Sequence, residues 1–255
     1  MPFIEEQTRL SIKNILLATV FTEPSEAILS YAVGLSRRYG SKMSLTGAAS
    51  PAAICEIIET RGVDLVVVGT QAQGVRTSDM DVAVAEILGT VPCPMLIIGP
   101  QVTPSELTKG EPEQIVYVTD YTLSSLEGLP YALALSQDCG ARLRFVHVAE
   151  GLTKGPFHFG NSRIVAFRKR LESLLDSAEG LLQELEFAVQ EGDRAEGLVA
   201  IAKKLHASLI VMSARGVPDR TTPCLMWPIA MQTVRHAHCP VLIARVGLTR
   251  KTLDE

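Results

Sequence analysis

The sequence predicts an α/β protein built from two unequal parallel-sheet units. Three observations predict it. Apolar runs alternate with amphipathic stretches, a twelve-residue segment recurs 100 residues later, and further matches recur 144 to 146 residues later.

The first unit opens with Ile15-Leu16-Leu17-Ala18-Thr19-Val20, a short apolar run read as a strand. Leu29-Ser30-Tyr31-Ala32-Val33-Gly34-Leu35-Ser36-Arg37-Arg38-Tyr39-Gly40 follows as a helix closed by a terminal glycine. A strand at Met43-Ser44-Leu45-Thr46-Gly47 leads almost directly into a helix over 52–60. Asp64-Leu65-Val66-Val67-Val68-Gly69 and Met95-Leu96-Ile97-Ile98 read as fully buried strands, as in a parallel sheet covered on both faces.

The second unit repeats this order. Ile115-Val116-Tyr117-Val118-Thr119-Asp120 is its first strand, and the helix ending at Gly140 matches the one ending at Gly40 at six of twelve positions. After Gly140 the offset jumps from 100 to 144, so the first copy lacks about one strand and one helix. The second copy supplies them: a strand over 142–148, a Gly-rich loop over 151–160, an amphipathic helix over 162–182 and a strand over 185–189. A helix over 195–205 and strands at Leu209-Ile210-Val211-Met212 and Val241-Leu242-Ile243 complete it. The stretch 102–113, with two prolines and several charges, is the linker, so the expected domains are 1–101 and 114–255. Left alone, each final strand would be an exposed edge. The two are therefore expected to pair within the chain as a pseudo-twofold, which leaves a homodimer open.

Composition narrows the function. Hydrophobic residues make up 47% and charged residues 20% of the 255, enough for a packed core. A net charge of −4 without a basic tail argues against nucleic acid as a partner. Met1-Pro2-Phe3-Ile4-Glu5-Glu6 is acidic where a secretory signal is basic, and no run is long and apolar enough for a membrane span, so a cytoplasmic protein is expected. Five scattered cysteines (Cys55, Cys93, Cys139, Cys224, Cys239) without a C-x-x-C argue against a disulfide framework or a structural zinc site.

Along nearly its whole length, the second unit resembles the universal stress protein family. The likeness rests on the strand ending in Asp120, Phe145-Val146-His147-Val148, Gln190-Glu191-Gly192-Asp193 before a helix, Leu209-Ile210-Val211-Met212, and Arg235-His236-Ala237-His238-Cys239-Pro240-Val241-Leu242-Ile243. The first unit matches in its outer parts. The resemblance implies tandem domains of the adenine nucleotide alpha hydrolase-like, Rossmann-like type, with a five-stranded parallel sheet in the second. It also implies domain pairing through the last strands.

Many family members bind ATP with an Asp ending the first strand and a Gly-x-x-Gly loop that continues to Gly-Ser/Thr. Small residues there let backbone N–H groups close around phosphates. In this chain the second loop reads Ser213-Ala214-Arg215-Gly216, and Trp227-Pro228 falls where Gly-Ser would be. Trp occupies phosphate space and Pro removes a donor. In the first unit, Gly69-Thr70-Gln71-Ala72 is followed by Asp81-Val82 in place of Gly-Ser, and Val20 replaces the strand-end Asp. The first site is therefore expected to bind no adenine nucleotide. In the second, Asp120, Val148, Met212, Ser213, Gly216 and Trp227 mark the candidate pocket.

Each feature also has a plainer reading. Asp120 serves equally as a helix N-cap. His236 and His238 read as a helix end rather than a metal site, since cationic groups suit that end of the dipole. Cys93 and Cys239 precede prolines at buried strands and read as inert. Arg168-Lys169-Arg170 reads as a solvated face, and Phe157-His158-Phe159 as interdomain packing. No G-x-G-x-x-G, no G-x-S-x-G and no early Gly-rich loop of an ATP pyrophosphatase occurs. The expected function is a non-catalytic stress-response or regulatory role without a cofactor. The alternative is a switch protein that binds ATP, another adenine nucleotide or a small ligand in the second unit.

Overall fold

The computed structural model describes residues 11–19, 24–47, 51–70, 77–107, 111–119, 125, 128–149, 186–191, 193–215 and 226–246. Asp120, Gly216, the helix expected over 162–182, and the readings of 157–159 and 168–170 lie outside these residues. The elements are β1 (Asn14–Ala18), α1 (Glu26–Tyr39), β2 (Lys42–Thr46), α2 (Pro51–Arg61), β3 (Leu65–Gly69), α3 (Thr77–Thr90), β4 (Met95–Ile98) and β5 (Gln114–Val118). They continue with α4 (Leu129–Cys139), β6 (Arg142–Ala149), β7 (Glu186–Glu191), α5 (Arg194–Lys204), β8 (Leu209–Arg215), α6 (Met226–His236) and β9 (Val241–Val246).

The strands form one sheet in the order β2-β1-β3-β4-β9-β8-β5-β6-β7. Every neighbouring pair is parallel except β4 and β9, which run antiparallel with Leu96 opposite Leu242. The pairing expected of the two final strands is thus present. β7 lies outside β6, whereas among the described residues nothing pairs with the outer side of β2.

Strand periodicity explains the near-continuous apolar runs, because successive side chains enter opposite cores. Ile15, Leu17, Val67, Leu96, Tyr117, Phe145, Val211 and Leu242 join α1 and α4 on one face. Leu16, Val66, Met95, Ile97, Val116, Ile210 and Val241 join residues of α2, α3, α5 and α6 on the other. Each core runs unbroken across the β4–β9 seam.

Matching local devices fix the two halves. α1 ends at Gly40 (φ 62°) and α4 at Gly140 (φ 63°), both left-handed, where a side chain would be strained. Just beyond, Ser41 N–H donates to the Ser36 carbonyl at 2.8 Å and Ala141 N–H to that of Ser136 at 2.9 Å. The Asp64 carboxylate accepts from the N–H groups of Lys13 and Asn14, while the Ser208 hydroxyl accepts from those of Glu113 and Gln114. A carboxylate and a hydroxyl thus do the same work, positioning the chain as it enters β1 or β5.

One expectation shifts. Asp81-Val82 is expected in the phosphate loop, where Gly-Ser would be, but α3 begins at Thr77. Thr77-Ser78-Asp79 supplies short polar and acidic residues that favour a helix start. Asp81 therefore lies inside the helix.

Candidate functional site

In a doubly wound sheet, ligands sit beyond the carboxyl ends of the strands where the chain reverses its direction of winding. In the second half that point lies between β5 and β8, which are adjacent in the sheet. The side chains found there are short and polar, and they bond to one another. Ser213, two residues before the end of β8, accepts from the Gly128 N–H at 3.0 Å and donates to the Ser125 carbonyl at 3.2 Å. The Tyr117 hydroxyl donates to the same carbonyl and lies 3.3 Å from Ser213 Oγ. Thr119 and Ser125 share a hydroxyl contact of 2.9 Å, and the Thr119 carbonyl meets His147 Nδ1 at 2.9 Å. Thr119, Ser125 and Ser213 are all buried. This network ties the β5–α4 connection down onto the end of β8. Buried polar groups left unpaired would cost roughly 1–3 kcal/mol each, so the latch is held closed by its own bonds.

Packing reinforces it. A Cβ at Gly128 would lie 2.3 Å from Ser213 Oγ and 3.1 Å from Ala244 Cβ, so no larger residue fits while serine stands below. The first half solves the same contact in reverse. Gly69 occupies the strand position, and the Ile28 side chain fills the space above it, with Ile28 Cδ1 2.2 Å from where a Cβ would stand. Neither half leaves the space over this strand end empty.

The sheet divides the remaining candidates. Val148 and Met212 are buried in the core facing α5 and α6, whereas Ser213 points to α4. Trp227 is the second residue of α6, which places it and Pro228 in the opening turn of that helix. α6 ends at His236, as the helix-end reading required. Among the described residues, no group of three or more His, Cys, Asp or Glu could hold a metal ion. Likewise, no described helix is long and apolar enough to cross a membrane.

An apolar cleft of about 450 Å³, counting its open mouth, lies away from these strand ends. It straddles the seam on the α1 and α4 face, between the matched pairs Tyr31 and Tyr131, Leu35 and Leu135, and Leu96 and Leu242. Of the described candidates, neither Val148, Met212 nor Ser213 lines it. The latch partners Tyr117, Ser125 and Gly128 were not singled out as site residues in the sequence.

Cys239 is chemically quiet. Burial pushes the Cys239 thiol up to about 12, and the charge of Glu106 adds to this while a hydrogen bond from the Ile210 backbone opposes it. Burial also raises Tyr31, with Cys239 and Cys139 adding. Below pH 9.0, the ordinary thiol value, Cys239 is neutral in both states. Above it the unfolded chain ionises and the folded one does not, so stability is lost as pH rises toward about 12. Melting followed by circular dichroism should therefore show the midpoint falling from pH 9 upward. Cys239→Ala should flatten the first part of that fall, before the tyrosines contribute.

An open α/β sheet with its winding reversal at β5 and β8 defines a protein of the doubly wound α/β class. A model of the universal stress protein family matches residues 112–245, and the chain belongs to that family. The fold is similar to that of a universal stress protein from Archaeoglobus fulgidus (16% identity, 94% of this chain and 98% of that one, TM-score 0.66). It is also similar to that of a putative universal stress protein from Pseudomonas aeruginosa (13% identity, 94% and 95% covered, TM-score 0.59). No curated protein matches the sequence.

Proposed function

We propose that the chain is a non-catalytic universal stress protein with a regulatory role in the cytoplasm, and that its nucleotide position has closed. In this reading residues 1–101 and 114–255 are tandem domains. The first is retained as the structural partner of the second, and neither takes a cofactor.

One observation carries the reading. Ser213 replaces the first glycine of the phosphate loop, and its hydroxyl is consumed by Gly128 and Ser125 inside the protein. A nucleotide entering there would have to break that buried network and leave its members unpaired. In the first half Ile28 stands over Gly69 in the same way.

A thermal-shift scan with ATP and adenosine tests this. Neither should move the midpoint. A ligand at a hundred times its dissociation constant adds about 2.7 kcal/mol, which is several degrees for a chain of this size. A shift of that size with ATP, abolished by Asp120→Ala, would overturn the proposal. A shift with adenosine alone would replace it with a small-ligand switch.

A further inference from the structure

We infer that the outer edge of β2 is a pairing surface for a second copy of this chain, joined β2 to β2 in antiparallel register about Ser44. This goes beyond the proposed function and does not depend on it.

The second half shows what the first half lacks. β6 stands to β5 as β2 stands to β1, and β6 carries β7 on its outer side through six residue pairs. Among the described residues, β2 has no such cover. Its backbone parity identifies the open groups. Lys42 N–H donates to the Lys13 carbonyl, and the Thr46 carbonyl accepts from Thr19 N–H, so Lys42, Ser44 and Thr46 face β1. The N–H and C=O groups of Met43 and Leu45 therefore point outward. Leu45 is 56% exposed, one of few large apolar side chains so placed among the described residues.

This edge is complementary to itself. With Ser44 on the twofold axis, Met43 lies opposite Leu45 of the second copy, and Leu45 opposite its Met43. Those are the residues whose backbone groups face outward, so both pairs become hydrogen-bonded pairs and the central Ser44 pair does not, as antiparallel geometry requires. Met43 and Leu45 share a face, because they sit beside Ile15 and Leu17 of the α1-side core. Pairing thus sets two apolar contacts side by side. Lys42 falls opposite Thr46, so no like charges meet. β2 contains neither proline nor an inward-pointing charge, two devices that commonly protect an edge. β4 and β9 are already joined to each other in the interior of the sheet, whose second edge is β7. A five-residue strand buries well under the roughly 1,600 Å² of a standard interface, so the dimer dissociates on dilution.

Sedimentation of the full chain from micromolar to near-millimolar concentration tests this. The mass should rise from 27.6 kDa toward twice that value. Leu45→Lys should remain monomeric throughout, with an unchanged melt because Leu45 is largely exposed. Met43→Pro, which removes an outward N–H and no bond to β1, should likewise stay monomeric, with a lower melt because Met43 packs against the core. Hydrogen exchange at the Met43 and Leu45 amides should slow as the wild-type concentration rises. A wild type that stays monomeric would overturn the inference. So would a dimer that survives Leu45→Lys, or one that leaves those two amides unprotected.

Discussion

Ile97→Asp is expected to abolish the cooperative fold. Ile97 is fully buried, lies opposite Val241 in the β4–β9 seam, and belongs to the core beneath α3 and α6. Losing a buried isoleucine costs about 2–5 kcal/mol. An unpaired carboxylate buried in its place adds several more. Domains are stable by only about 5–15 kcal/mol. Ile97→Val, by contrast, should cost about 0.5–1.5 kcal/mol. Urea denaturation followed by circular dichroism separates the two. The seam is also tested by a double-mutant cycle on Ile97→Ala and Val241→Ala, whose effects should fall short of additivity because the residues share one contact. Two separate unfolding transitions in the wild type would count against a shared core.

The second large effect is expected at Gly99, just past β4. An ideal Cβ there would stand 2.0 Å from the Val234 carbonyl oxygen, in α6 of the other half. A helix backbone cannot yield as a side-chain tip can, so Gly99→Val must push α6 off the sheet. Overpacking of this kind costs about 1–3 kcal/mol or more, and each kcal/mol lowers the melting midpoint by about 2–4 °C in a chain of this size. Gly89→Ala, where a Cβ meets nothing within 4 Å, is the matched control and should leave the midpoint unchanged or slightly raised. Equal midpoints for Gly99→Val and wild type would show that α6 does not rest on β4.

Local physics made much of this fold legible. Gly40 and Gly140 announce the helix stops, because only glycine takes the left-handed position without strain. The jump in repeat offset announced β7, the extra strand. Asp193 before a helical pattern announced the N-cap of α5, where its carboxylate accepts from Ala195 and Glu196 N–H at 3.0 Å.

The site was harder to read. Its latch joins Ser213 to residues 85 and 88 positions away, and hydrogen bonds across such separations leave no periodic trace. Ser213 on its own reads as a mild change from glycine. Its consequence depends on Gly128 above it and on Tyr117 reaching the same carbonyl. Ile28 and Gly128 stand one residue before the aligned repeat, and only the fold shows that they touch Gly69 and Ser213. The sequence also could not show that Val148 and Met212 face a different core from Ser213, because that follows from strand registers set by the whole sheet.

The closed end of β8 is tested most directly by hydrogen exchange at the Gly128 amide, with and without saturating ATP. That N–H donates to Ser213 Oγ in a buried network. It should be protected in the free protein and exchange at the same rate when ATP is added. A Gly128 amide that exchanges freely alone and becomes protected with ATP would contradict the account, because the nucleotide would then be completing a site that was open.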